Sequence, residues 1–218
     1  MFAKPLGALA AATLALGASG AAHAGIIFTT GPSIGGGLED TEARVADDFK
    51  FAADTAVGGA GVFMSGNVAG WDGGFQYQIY SDVADQPGVV LTEGDVVVHP
   101  VDTGVIVDTQ HLFLFQFDFL TPFQAQAGQE YFLAVHARSD FRDNDGIFWT
   151  FANPDVSLGS QFQQNGQGDF IPVGGDMAFF LTGAATPEPA SWALMLGGFG
   201  LAGAGLRARR QRLAVATL

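Results

Sequence analysis

Residues 25–185 read as an all-β antiparallel sandwich or jelly roll, and three observations carry that expectation. Phe113, Phe115, Phe117 and Phe119 alternate with Leu114, Gln116 and Asp118. Successive side chains of a strand point to opposite faces, so this period of two marks a strand with one buried face. Turn signals recur at short spacing: Asp72-Gly73-Gly74, Gln86-Pro87-Gly88, Glu93-Gly94-Asp95, Ala127-Gly128-Gln129, Asp145-Gly146, Asn165-Gly166 and Gly174-Gly175. Many short strands between such turns imply a sandwich. The chain also holds 31 glycines and 20 phenylalanines, with no long run of Ala, Leu, Glu and Lys in this region.

Taken in order, Met1 to Ala24 has the pattern of a secretory signal peptide. Lys4 gives a positive start, Leu6 to Ala18 is apolar, and Ala22-His23-Ala24 places small residues around a cleavage point. Signal peptidase is the partner this implies. Gly25 to Ala185 is then one domain's length of chain, enough to bury a core. It carries Arg44, Lys50, Arg138 and Arg142 against 21 acids, a net charge of −17. Such a surface repels nucleic acid and anionic headgroups, and suits divalent cations or neutral polysaccharide. There is no cysteine. Stability therefore comes from apolar burial, and thiol nucleophiles, Cys-based zinc sites and iron–sulfur clusters are excluded.

Within the body, strands are expected at 45–51, 57–65, 75–80, 88–91, 95–99, 104–107, 113–119, 131–136, 146–151, 168–173 and 176–182. Glu93-Gly94-Asp95 is expected to turn a hairpin. Gly35-Gly36-Gly37 reads as a flexible loop, since no Lys-Ser/Thr follows to make a phosphate cradle. Ile147, Trp149 and Phe151 alternate with Phe148 and Thr150, so both faces of that segment carry aromatics; Trp149 is expected in the core.

Catalytic patterns are sparse. His99, His111 and His136 share no His-Glu-x-x-His spacing, and read as isolated strand-end histidines. No Gly-x-Ser-x-Gly elbow is present. Acids are plentiful, so a secreted hydrolase with a carboxylate pair stays open as an alternative, but no enzyme and no required cofactor are expected. Calcium is the one cofactor with a candidate loop: Asp140, Asp143, Asn144 and Asp145 gather oxygen ligands within six residues. A solvated acidic turn accounts for the same residues. Asp47-Asp48 is a second possible ligand group for a cation. Trp71, in Gly70-Trp71-Asp72-Gly73, is the candidate exposed ring for stacking on a sugar, beside Tyr80 and the amide-rich run Gln161 to Gln167. Together these would make a calcium-dependent lectin-like module.

Residues 186–218 form a tail with its own logic. Pro187-Glu188-Pro189 fixes backbone angles and removes two donors, a stiff joint. Ala190 to Leu206 carries no charge, and as a helix would span roughly 25 Å, a short membrane crossing. Trp192 sits at the headgroup level of one end, and Arg207, Arg209, Arg210 and Arg212 hold the other in the cytoplasm. A C-terminal membrane anchor follows.

This order of Pro-Glu-Pro, Trp, Gly-rich apolar run and Arg cluster resembles the C-terminal sorting signal of the PEP-CTERM proteins of Gram-negative bacteria. Leu213 to Leu218 depart from it, since family members usually end soon after the arginines. The body is similar to a β-sandwich domain found in many of those proteins. Val45-Ala46-Asp47-Asp48-Phe49, Ile79-Tyr80-Ser81-Asp82 with Pro87-Gly88, Ala127-Gly128-Gln129-Glu130-Tyr131-Phe132 and Asp176-Met177-Ala178-Phe179 carry that likeness. The resemblance implies an exosortase, a membrane cysteine protease, as partner. It also implies transient inner-membrane anchoring before the tail is removed, export to the cell surface or extracellular matrix, and company with exopolysaccharide and biofilm. It implies no catalytic residues.

Overall fold

The computed structural model describes residues 25–142, 146–152, 159–164 and 166–184, and in the tail residues 195, 197–201 and 207. Residues 24–185 and the two ends of the chain form separate units. The expected signal peptide and most of the tail lie outside the described residues. The described tail residues are helical and exposed where their side chains are placed. Among the described residues no helix is long and apolar enough to cross a membrane.

The body is all-β: β1 (Ile26–Thr29), β2 (Ser33–Glu39), β3 (Ala43–Lys50), β4 (Thr55–Gly66), β5 (Gln76–Asp82), β6 (Pro87–Asp95), β7 (Val101–Val107), β8 (Gln110–Ala125), β9 (Glu130–His136), β10 (Ile147–Ala152), β11 (Gln161–Gln164), β12 (Ile171–Pro172) and β13 (Phe179–Gly183). They make two antiparallel sheets. One runs β12-β11-β3-β9-β5-β6. The other is centred on β4. Strand β8 pairs along one side of it from Thr55 to Ser65, with β7 beyond. Along the other side β13 pairs with Val57 to Val62, and β10 with Met64 to Gly66. Strand β1 extends β13, and β2 extends β10.

The core lies between the sheets and is largely aromatic. Phe115, Phe117 and Phe119 point into it, as their alternation requires. Tyr77 of β5 stacks on Phe119 at 4.7 Å and 18°. Its hydroxyl accepts from the Leu120 N–H at 2.9 Å, tying one sheet to the other. Trp149 is completely buried, as expected, and donates its indole N–H to the Ala178 carbonyl at 3.0 Å. Each such ring contributes about 1.5–3 kcal/mol of apolar burial.

Two expectations are corrected. Glu93-Gly94-Asp95 does not turn. It continues β6, with Gly94 opposite Tyr77 and Asp95 opposite Gln76. Gly94 has no Cβ because one would meet the Tyr77 ring at 2.7 Å and Leu120 at 2.8 Å. Close approach, not chain reversal, explains that glycine. Gly35-Gly36-Gly37 is strand β2 and pairs with β10 rather than forming a loop. A Cβ on Gly37, whose φ is +155°, would sit 2.5 Å from the Trp149 carbonyl oxygen.

The β5–β6 hairpin turns instead at Ala84 and Asp85, with φ of 55° and 63°. Strand twist favours such a turn, but alanine adopts it at a cost of about 1–2 kcal/mol. Glycine removes that cost and returns about half of it through its looser unfolded chain. Ala84→Gly should therefore raise the unfolding free energy by about 0.5–1 kcal/mol in a denaturant titration; an unchanged midpoint would refute the strain.

Candidate functional site

Trp71 is delivered by a short 3-10 turn, Val68–Gly70, which starts where the Asn67 side-chain oxygen accepts from Ala69 N–H at 3.1 Å. Its ring is half-buried, edge-on to Phe115 at 5.2 Å. The indole N–H donates to the carbonyls of Ala137 at 2.7 Å and Gly74 at 3.1 Å. The expectation of an exposed stacking ring is therefore corrected: apolar packing against Phe115 draws this loop residue inward. Tyr80, Gln161 and Gln163 are buried too.

Asp140 is the one member of the expected calcium group that the structure describes; Asp143, Asn144 and Asp145 lie outside the described residues. Its carboxylate accepts from Arg138 Nε at 3.1 Å and the Arg142 N–H at 3.2 Å, with Arg142 Nε 3.8 Å away. The Arg142 N–H first, then the two guanidinium groups, hold Asp140 below the usual carboxylate range. Both hydrogen bonds fall on Oδ1.

His136 is not an isolated strand-end histidine. It is completely buried, with Nδ1 2.8 Å from the Ala43 carbonyl and 3.0 Å from that of Asp40, and Nε2 2.9 Å from that of Asp140. Phe141 stacks on the ring at 3.7 Å, and the Arg44 guanidinium lies over Phe141 at 5.2 Å. Burial pushes the imidazole below its ordinary value. The cluster closes the 138–142 segment onto β3.

Asp47 and Asp48 are both buried in β3. Asp47 Oδ2 accepts from the Met177 N–H at 2.7 Å, while Oδ1 has no partner. Burial pushes this carboxyl well up, and the charges of Asp48 and Asp176 add to it. Asp40 is raised likewise by burial and by Glu39.

A hollow lies elsewhere, at the end of β4. It encloses about 560 Å³ between Gly66, Asn67, Val68, Gln110, His111, Phe113, Gly146 and Phe148. Register explains how three distant segments meet: Phe113 lies opposite Met64 on β8, and Phe148 opposite Ser65 on β10. His111 Nδ1 is held 2.8 Å from Asp102 Oδ2, both side chains exposed. Sequence reasoning missed this groove. Its one trace was the second aromatic face of 146–151, to which Phe148 belongs.

A two-sheet sandwich followed by a proline-jointed, arginine-ended tail defines a class, a folded domain preceding a C-terminal sorting signal. Residues 185–210 carry the PEP-CTERM protein-sorting motif. They span Pro187, Glu188, Pro189, Trp192, Arg207, Arg209 and Arg210, and stop short of Arg212. The motif implies processing by an exosortase and sorting of an exported protein to the cell envelope. No curated protein matches the chain.

Proposed function

We propose that this is a non-enzymatic protein of the cell envelope or extracellular matrix, exported through the inner membrane and associated there with exopolysaccharide. The sorting motif at 185–210 is the observation that carries the reading. The site chemistry agrees with it. The two carboxyls raised by burial, Asp40 and Asp47, sit among packed side chains and outside the groove, so neither faces a substrate as a general acid. Signal peptidase removes 1–24, the tail anchors the chain in the inner membrane for a time, and the exosortase then releases the body.

Mass spectrometry of the protein from a host with and without its exosortase tests this. The mature form should lack Arg207–Arg212 in the first host and keep them, with the membrane fraction, in the second. Mature protein that retains the arginines in an exosortase-bearing host would sink the sorting mechanism.

A further inference from the structure

We propose that the groove at the end of β4 binds a neutral sugar unit of a polysaccharide. A pyranose has apolar C–H faces and a rim of hydroxyls, so its site needs apolar walls beside uncharged hydrogen-bonding groups. Phe113 and Phe148 supply the first, and Asn67, Gln110 and His111 the second. The volume of about 560 Å³ falls in the range of small-molecule sites.

Charge selects against other ligands. Among the described residues, neither lysine, arginine nor a carboxylate lines the groove. An anionic polymer is repelled by a body of net charge −17. A cationic one finds no carboxylate among the described lining residues to meet it. Backbone pairing selects against peptides. Extended peptides bind by adding a strand to an open edge. Here β4 lies between β8 and β10, β10 between β4 and β2, and β8 between β4 and β7. Strands ending at the groove have both edges occupied, so recognition falls to side chains.

Two of those side chains are already oriented. Asp102 holds His111 through Nδ1, which leaves Nε2 for a ligand hydroxyl. The Asn67 oxygen caps the Val68–Gly70 turn, which fixes its amide and leaves the NH₂ to donate. Preorganised groups lose less freedom on binding. The reading as an envelope protein says where the sugar is met; the binding itself does not depend on it.

The test is titration of the protein purified from its host against neutral hexasaccharides of glucose, mannose, galactose and N-acetylglucosamine, and against an oligouronate. Ligand-observed NMR and calorimetry read the result. At least one neutral glycan should bind with Kd below about 10 mM, and the oligouronate should not. Gln110→Ala, His111→Ala and Phe148→Ala should each weaken binding by about tenfold or more. Gln110 and His111 are exposed, so those two variants keep the melting temperature and separate recognition from folding. Failure of every neutral glycan to bind, preference for the oligouronate, or affinity unchanged in all three variants would overturn the proposal. The variants leave the tail untouched, so exosortase processing is read independently.

Discussion

Trp149→Ala is expected to cost about 3–5 kcal/mol of stability, the largest loss from a single side chain in this fold. Trp149 heads the fully buried side chains by volume. It sits on β10 between Met64 of β4 and Leu38 of β2, and meets the edge of Phe179 at 5.8 Å. Alanine would leave a cavity walled by three strands, each paired on both sides near that point or held by the core, so little can collapse into it. Trp149→Phe should cost far less. The ring volume is largely kept, and the Ala178 carbonyl that loses the indole N–H still accepts from Phe63 N–H at 3.0 Å. Guanidinium unfolding of the two variants checks this. A loss below about 1 kcal/mol for alanine would mean that the interface between β4 and β10 relaxes more than a close-packed core does.

The second large effect is a dependence of stability on pH. Asp40 and Asp47 both have carboxyls raised well above the ordinary value, chiefly by burial. A raised group binds its proton more tightly in the folded state. Its contribution is therefore fully present below about pH 3.9 and is lost as pH rises through the folded value. Each carboxyl lowers stability by up to about 1.4 kcal/mol per pH unit across that window. His136 acts in the opposite sense. Its depressed imidazole favours folding above about pH 6.5 and costs stability as pH falls below it. One histidine opposes two carboxyls, so the net trend from pH 4 upward is a decline, shallowest below about 6.5. Asp72, Asp102 and Asp140 are lowered instead, but they are solvated and their effects fall below this window.

Asp47→Asn isolates the cause. The amide keeps an oxygen for the Met177 N–H and cannot ionise. The variant should match the parent near pH 4, exceed it at pH 8, and show a slope smaller by one proton. A parent whose unfolding free energy is flat or rising between pH 4 and 8 would show that Asp47 is ionised at little cost. Asp47 would then be compensated by a group other than the Met177 N–H.

These two predictions rest on different kinds of information. Burial of Trp149 was readable from the segment Gly146 to Phe151, because alternation with period two is local and a large ring on the inner face has one place to go. The raised carboxyl of Asp47 was not. Asp47-Asp48 reads as an acidic pair for solvent or a cation. Only the crossing of Met177 over β3 shows that one member is sealed between sheets.

The same division runs through the molecule. The sequence by itself determined the class of fold, through the phenylalanines of β8 and the spacing of turns. It also determined the sorting signal, whose proline joint, apolar run and arginines lie in one continuous stretch. Tertiary structure decided what depends on partners far along the chain. Gly94 is a strand glycine because Tyr77 and Leu120 crowd it, and Gly35 to Gly37 form a strand because β10 lies beside them. Trp71 turned inward because Phe115, 44 positions later, offers its ring to pack against. His136 is sealed by Phe141 and by carbonyls nearly a hundred residues earlier in the chain. The groove at the end of β4 needs Asn67, Gln110 and Phe148 together, and only strand register brings them there. Local periodicity fixes which face of a strand is apolar; register and pairing, which are long-range, fix what that face meets.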